Sequence, residues 1–492
     1  MFTQLIAWLQ GVWNKMFPQS TLQQTLGLNL GVGLSDQNVM SARMITELQK
    51  WSLMYVNQAD WLTKDIISLN LPAAISSEVA RTVTIEMIVE VSGSARADFL
   101  QTAVNKVVDD LRLKLELGIA KGGLILKPYV DNDQLCTDYI QADAFYPISF
   151  DGNGQLQAVA FINQLKQSNY WYTRFELHQM QGTNCLIRNI AYRSSTQGYI
   201  GSQVPLTEVQ QWAAIEPEAT VSNIIMPLFG YFRYPQANNI EPTSPLGVSI
   251  YSRAVDLIRQ ADEQWGRLVW EFESGERALY VDTSAFRRDK DGKPILPHKR
   301  LYRTLQQVNS PSVAEPGFYK EWSPKMRGTD FANGFNGHMR RIEFNCGLSY
   351  GILSDPQIQA LTATEIKASQ QRYYSTVTDT QKALRVALEH WLYAADIYAT
   401  LYNLAPAGSY SAAYSFDDSI VTDHDAQFAQ DKISVDLEAM SLIEFRMRTY
   451  GETKEIAIEK LKLIQEEKQF LEPAPAPAPL VPVPQSAYQE AT

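Results

Sequence analysis

Cysteine, histidine and net positive charge are all scarce in this chain, and each scarcity excludes a class of function. Three cysteines, Cys136, Cys185 and Cys346, stand far apart with no CxxC pair, so neither a disulfide framework nor a cysteine zinc site is expected, and a reducing place of assembly fits. The five histidines, His178, His298, His338, His390 and His424, never fall at ligand spacing on one element, so no metal is expected. No GxSxG elbow occurs, and the glycines of Gly27-Leu28-Asn29-Leu30-Gly31-Val32-Gly33 lack the helix and Lys-Ser/Thr that would cradle phosphate. The chain is therefore not expected to be an enzyme or a nucleotide-driven motor, and neither a catalytic residue nor a cofactor is assigned. Lys and Arg number 43 against 54 Asp and Glu, a formal charge of -11. That is the wrong sign for a protein that holds nucleic acid by neutralising phosphates. Long apolar runs are missing too. The most apolar stretch near the start, Leu5 to Phe17, carries Gln10, Asn14 and Lys15 and is too short to span a bilayer. It lacks a cleavage site, and its spacing predicts a short amphipathic helix packed on protein rather than membrane.

What is present can build a large core: 492 residues, 45% hydrophobic and 20% charged, enough for two to four structural units. Apolar spacing predicts helices near Met40 to Met54, from about Leu71 to Val91, and over Ala95 to Leu117, the last stopped by Gly118, Gly122 and Gly123. From Leu124 to about Tyr192 the period changes to two, in runs Leu124 to Tyr129, Asp138 to Gln141, Tyr146 to Phe150, Gln157 to Ile162, Tyr170 to His178 and Asn184 to Tyr192. This predicts an antiparallel meander, with Asp151-Gly152-Asn153-Gly154 as its strongest turn.

Pro235 to Pro245 is a polar connector. A long helix should follow, with Ile250, Tyr251, Ala254, Val255, Ile258, Ala261, Trp265, Leu268, Val269 and Phe272 at steps of three or four and Gly275 closing it. Residues 276–327 read as a small module with a strand at Ala278 to Val281 and a turn at Asp289 to Pro294. Helix resumes from Gly328 to about Asn345, and a loop runs from Cys346 to Leu361. Thr362 and Glu365 form a capping box for a helix of roughly 40 residues, about 60 Å long at 1.5 Å per residue. Residues 414–422 resemble a strand ending in an acidic turn, and Asp425 to Lys468 predicts two or three charged helices. Pro473 to Pro484 is a Pro-Ala/Val tail that favours extended chain.

Two features could carry binding chemistry. Positive charge clusters once, at Arg287, Arg288, Lys290, Lys293, His298, Lys299, Arg300 and Arg303, with Phe286 and Tyr302 among them. Basic residues beside aromatics suit a nucleic-acid backbone or an acidic protein partner, with a solvated loop as the alternative. The acidic pairs Asp109-Asp110, Asp417-Asp418 and Asp423/Asp425 lack a companion cluster and read as solvated turns.

The order of elements, a helix, a compact insert, a returning helix, a loop and a very long helix, resembles the stem, clip, stem, tunnel loop and wing helix of portal proteins of tailed double-stranded DNA phages. Asn238-Asn239-Ile240-Glu241-Pro242-x-Ser244-Pro245-Leu246-Gly247-Val248-Ser249 is similar to the segment leading into the first stem helix in portals of long-tailed phages of Gram-positive hosts. Thr362-Ala363-Thr364-Glu365-Ile366 resembles the start of their wing helix. Phe416-Asp417-Asp418-Ser419-Ile420 with Ser441-x2-Glu444-x-Arg446-Met447 resembles their C-terminal part. The resemblance runs from about residue 60 to 465.

It implies an α+β, helix-rich, ring-forming architecture of wing, stem, clip and crown, typically of twelve copies. Residues 1–245 would be wing, 246–275 the first stem helix, 276–327 the clip, 328–346 the second stem helix, 347–361 the tunnel loop and 362–404 the long wing helix. Residues 405–472 would be C-terminal wing or crown and 473–492 a disordered tail. The tunnel loop would turn Ser349, Tyr350, Ile352, Leu353, Ser354, Asp355 and Gln357 toward DNA, although Gly347 to Pro356 lacks the basic residues found in several relatives. The clip would dock partners through Arg287, Arg288, Lys290, Lys293, Lys299, Arg300 and Arg303. Implied partners are further copies of the chain, double-stranded DNA, the terminase large subunit, head-completion or adaptor proteins, and major capsid and scaffolding proteins, with no membrane. The implied place is a unique vertex of the virion, after assembly in the host cytoplasm. The competing readings are another ring-forming head-tail structural protein and a DNA-processing enzyme, the latter needing an acidic metal cluster.

Overall fold

The computed structural model describes residues 40–197, 199–282, 286–291, 293–296, 301–305, 319–355, 363–416 and 424–471. The helix expected at Leu5 to Phe17, the Thr362 cap, the acidic turn after Phe416 and the Pro-rich tail lie outside them. The chain divides into two units, residues 1–417 and 418–492.

The larger unit begins with α1 (Ala42–Tyr55), capped by the Ser41 hydroxyl accepting from the Met44 N–H, and α2 (Leu71–Thr84), with Pro72 in its first turn. The helix expected to reach Val91 ends at Thr84. Chain that continued the helical spacing instead becomes strand β1 (Met87–Ser92), whose residues alternate buried and exposed, because the β-branched Ile88, Val89 and Val91 suit a half-buried pleat. Its partner is β14 (Ser411–Phe416), antiparallel, with Val89 opposite Tyr414.

Helix α3 (Ala95–Lys121) runs through Gly118 and stops only at Gly122. Gly122 has φ 86°, and a Cβ there would stand 2.6 Å from the Val248 carbonyl carbon, so only glycine lets the chain turn against the 247–248 backbone. The expected single meander is two sheets. β2 (Gly123–Asp131) pairs with β3 (Gln134–Gln141) on one side and β10 (Gly230–Arg233) on the other. β4 (Phe145–Phe150), β5 (Leu156–Gln167), β6 (Tyr170–Gln181), β7 (Asn184–Ser194) and β8 (Ser202–Val204) form the other sheet, with β9 (Glu218–Ser222) also on β7. Period-two patterning marks strands without saying which strands pair, and here β10, far later in sequence, takes the side of β2 that β3 leaves open. The β4–β5 turn forms as expected, with Asp151 Oδ1 accepting from the Asn153 and Gln155 amides at 2.9 and 2.8 Å.

The two sheets are joined by charge. Lys127 of β2 donates to both oxygens of Glu176 on β6 at 2.9 Å, and Arg174 and His178 bond the same carboxylate at 3.1 and 2.8 Å. Burial by itself raises the Glu176 carboxyl, but Lys127, His178 and Arg174 hold it well below the ordinary carboxylate range, while burial lowers His178 against the opposing pull of Glu176.

Helix α4 (Val255–Ser274) starts later than the expected 246: residues 246–254 are loop and then turns, with i→i−3 bonds from the Ser252 and Ala254 amides to the Ser249 and Tyr251 carbonyls at 2.9 Å, and they bring Leu246, Val248, Ile250, Tyr251 and Ala254 into the main core. Their apolar spacing reflects burial from several sides rather than one helix face. Tyr251 donates its hydroxyl to the Trp51 carbonyl at 2.9 Å. The insert is a three-stranded sheet in which β11 (Ala278–Asp282) runs parallel to β12 (Tyr302–Leu305) and antiparallel to β13 (Tyr319–Trp322). The chain returns through α5 (Gly328–Cys346), which packs on α4 through Trp265 and Phe335, ring centroids 5.6 Å apart. Arg327 closes the far end with a bidentate bond to Glu271 at 3.1 and 2.7 Å.

The long helix α6 (Ala363–Leu401) has 39 residues. Tyr373, Val377, Leu384, Ala387, Leu388, Trp391, Leu392 and Ala395, spaced at helical intervals, are buried in the main core, and Trp391 reaches the Thr137 hydroxyl at 3.1 Å. Arg96 of α3, 1% exposed, donates to the carbonyls of Asp396, Ala405 and Pro406 at 3.0, 2.8 and 3.0 Å and pairs with the Asp396 carboxylate at 3.2 Å. One buried guanidinium thus ties α6 to the Ala405 and Pro406 carbonyls of the chain that follows it.

The smaller unit holds α7 (His424–Asp436), α8 (Leu442–Tyr450) and α9 (Lys454–Leu471). Ser441 and Glu444 form a reciprocal capping box at the start of α8. Glu452 accepts from Arg446 twice at 2.9 Å and from Lys460 at 2.6 Å. Phe428, Leu437, Leu442, Tyr450 and Leu463 are exposed.

Candidate functional site

Between α5 and α6 the chain folds back on itself, and one buried carboxylate organises the turn. Gly347, at φ 72°, ends α5, and the next residues curl over the last turns of that helix. Glu343, 0% exposed, accepts from the amides of Gly351, Leu353 and Ser354 at 3.1, 2.7 and 2.9 Å and from the Ser354 hydroxyl at 2.7 Å. Four donors converge on it, which is how a buried carboxylate is normally satisfied. Asn336, one helical stretch earlier, holds Asp355 by both its amide groups, at 2.7 and 3.1 Å. On the α6 side, Tyr350 donates its N–H to Ser369 Oγ, and the Thr376 hydroxyl donates to the Gly347 carbonyl at 3.1 Å.

This places the residues expected to face DNA in different settings. Ser354 is buried and serves the Glu343 cluster. Ile352 and Leu353 pack half-buried against the main core. Ser349 and Tyr350 are half-buried and Asp355 is exposed; Gln357 lies outside the described residues. The Cys346 thiol is buried at the end of α5, and burial pushes it well above the ordinary thiol range.

Basic residues absent from the loop come from the helices beside it. The Arg340 guanidinium lies 5.8 Å and that of Arg372 5.3 Å from the Tyr350 ring centroid, and Arg372 also lies 4.6 Å from the Phe344 ring. Sequence reading missed Glu343, Asn336, Arg340 and Arg372. No local signal marks them, since each meets the loop only when the two helices fold back together.

In the insert, Arg287, Arg288, Lys290, Lys293 and Arg303 are exposed, and Lys299 and Arg300 lie outside the described residues, as does His298. Asp289 Oδ1 accepts from the Asp291 and Lys293 amides at 3.0 and 2.7 Å, fixing the turn that carries two of the lysines. Phe286 meets Tyr302 edge to face at 6.1 Å, and Arg303 donates to the Tyr280 hydroxyl at 3.2 Å while lying over its ring. Of the described cations, Arg303 is thus on a strand of the small sheet, while Arg287, Arg288, Lys290 and Lys293 are exposed on the loop that follows β11, interspersed with Asp289 and Asp291.

Among the described residues no group of three or more His, Cys, Asp or Glu could hold a metal ion, and no helix is long and apolar enough to cross a membrane. No curated protein matches the chain. A family model described as phage portal protein, SPP1 Gp6-like, matches residues 101–470.

Proposed function

Since the chain belongs to the SPP1 Gp6-like phage portal protein family, and is thereby a structural component of a phage capsid rather than an enzyme, we propose that it forms the ring channel through which the genome is packaged, retained and ejected. The ring is of twelve copies at a unique vertex and is assembled in the host cytoplasm. Residues 276–327, with Arg287, Arg288, Lys290, Lys293, Lys299, Arg300 and Arg303, dock first the terminase large subunit and then head-completion proteins. Major capsid and scaffolding proteins surround the wing. The α4–α5 pair is the stem, and residues 347–361 are the tunnel loop, in which Ser354 holds the shape from within and Ser349, Tyr350 and Asp355 face the duplex.

The observation that carries this reading is the apolar surface left uncovered on the α4–α5 pair. Trp270 is 64% and Phe272 51% exposed on α4, and Met326, just ahead of α5, is 44% exposed. Two residues apart on a helix with about 100° per residue, Trp270 and Phe272 lie on different sides, so apolar surface is open in two directions and calls for neighbours, and head-to-tail contacts that close by rotation supply one on each side of every subunit of a ring. The formal charge of -11 per chain makes the wall repel phosphate overall, which keeps friction low as the duplex slides.

Mass and symmetry of the purified chain in solution test the proposal. An annular particle of uniform subunit number is expected, and a Trp270→Ser/Phe272→Ser double variant should lose it while keeping its helical content. A self-sufficient wild-type monomer under assembly conditions, with no annular form in virions, overturns the reading. Deleting residues 349–357 should impair packaging or retention; unchanged values would remove the loop from the mechanism.

A further inference from the structure

Helix α4 and the loop between α1 and α2 enclose an open cleft of about 590 Å³. Its apolar lining is Ile66 and Ile67 from the loop and Trp265, Val269 and Trp270 from α4, and Ile67 is 58% and Trp270 64% exposed. The cleft is held in shape from below. Asp262, 2% exposed, accepts from Trp61 Nε1 and from the Leu69 amide, one on each carboxylate oxygen and both at 2.9 Å, so the loop is tied to α4 near both of its ends. Between those ties Gly266 lets the loop backbone lie against the helix, since a Cβ there would stand 2.6 Å from the Asp65 carbonyl oxygen. A fixed cleft with apolar side chains turned to solvent calls for an apolar occupant.

We propose that the occupant is the segment Leu5 to Phe17 of the neighbouring copy, laid into the cleft as an amphipathic helix. The proposal rests on the ring reading above. Helical spacing puts Leu5, Leu9, Val12 and Met16 at the centre of one face of the segment, flanked by Trp8 and Trp13, with Asn14 on the opposite side. So short a helix is marginal alone in water, and an apolar row of this kind is what fills a groove on a partner. Charge agrees: no acidic residue precedes Asp36, and Lys15 is the one charged side chain in that stretch, whereas the cleft carries Asp65, Glu263 and Glu273 against Lys64 and Arg267. Reach agrees as well. The 22 residues from Pro18 to Val39 span up to about 70 Å at roughly 3.3 Å per residue. Helix α1, which leads from Met40 toward the loop, has 14 residues and is about 21 Å long. The connection exceeds the length of α1 several times over and is long enough to cross to the next subunit, where the segment covers Trp270.

The test is disulfide trapping in the assembled full-length particle. Leu9→Cys, Val12→Cys and Met16→Cys are each combined with Ile67→Cys, oxidised mildly and separated without reductant, and are read only in particles of wild-type mass. At least one pair should give a ladder of covalent dimers and larger species, several-fold above background. Chains carrying only the segment cysteine, mixed before assembly with chains carrying only Ile67→Cys, should give dimers and nothing larger. Asn14→Cys/Ile67→Cys, with its thiol on the polar side of the helix, and the oxidised wild-type chain, whose Cys136 is half-buried, set the background. Background yields for all three pairs in an annular particle overturn the docking and leave the ring reading standing. A disulfide that closes within one chain, and is absent from the mixture, overturns the neighbouring copy as the occupant. A wild-type chain with no annular form overturns the ring reading itself, and is recognised from the mass before any oxidant is added.

Discussion

Glu343 and Ser354 bond twice across the fold-back that follows α5: Oε2 accepts the serine hydroxyl at 2.7 Å and Oε1 its amide at 2.9 Å. With the Gly351 and Leu353 amides also on Oε1, the first half of the loop is a side-chain-capped extension of α5 and moves with that helix. Asn336, Ser369 and Thr376 tie the loop at Asp355, Tyr350 and Gly347, but residues 351–354 between them depend mainly on Glu343.

Glu343→Ala should release them. Three backbone donors and a hydroxyl lose their acceptor, at about 1–3 kcal/mol for each group left buried without a partner, so the loop should open instead of staying buried unsatisfied. Amide hydrogen exchange at residues 351–354 should accelerate by orders of magnitude while β5 and β6 keep their protection. Glu343→Gln, which keeps one carbonyl oxygen as acceptor, should show a smaller effect. Equal protection in wild type and both variants would contradict the hub.

The Lys127–Glu176 link between sheets predicts an acid-labile joint. The folded-state pKa of Glu176 lies below its ordinary value of 4.5, so its ionisation contributes stability that is fully present above that pH and lost as the pH falls below it. His178 is lowered from 6.5 by burial, and uptake of its proton therefore favours the unfolded chain as the pH drops below 6.5. Both act in the same direction. Thermal unfolding followed from pH 7 to pH 4 should show a falling midpoint, and Glu176→Gln/Lys127→Met should flatten the part of that fall below about pH 4.5.

Gly230 sits where β10 presses on the long helix: a Cβ there would stand 2.0 Å from the Ala387 carbonyl oxygen. Gly230→Ala should cost about 1–3 kcal/mol by forcing strand and helix apart. A lowered unfolding temperature checks this, and an unchanged one would mean the contact is looser than the geometry states.

Arg96→Met should cost about 1–3 kcal/mol, because it strips the Asp396, Ala405 and Pro406 carbonyls of their guanidinium donor and leaves the partly exposed Asp396 carboxylate without its partner. Burial already raises the Asp396 carboxyl against the pull of Arg96, so its titration, followed by NMR, should move further up in the variant. Arg96→Lys should be intermediate, one ammonium being unable to span the carbonyls of Asp396, Ala405 and Pro406 together.

Local pattern was enough to locate most elements. The apolar spacing of α3 and α6, the period-two runs of β2 to β7 and the Asp151 turn depend on chain neighbours a few residues away, and those rules act before any tertiary contact forms. The order of these elements was enough to suggest the family. Pairing was not legible: the strands divide into two sheets between β3 and β4, which do not pair, while β10 from far along the chain takes the other edge of β2, and the segment 246–254 looks helical in sequence because residues buried from several sides are apolar whatever their backbone does.

The amino-acid sequence by itself determined most of the helices, the strands β2 to β7, the acidic balance and the family, since each follows from side-chain volume, period and charge along the chain. Tertiary structure alone decided that Glu343 holds the loop, that Ser354 faces inward and that Arg340 and Arg372 meet at Tyr350. Those relations join residues on separate helices, and burial and electrostatic pairing come into being only when folding brings them within bonding distance.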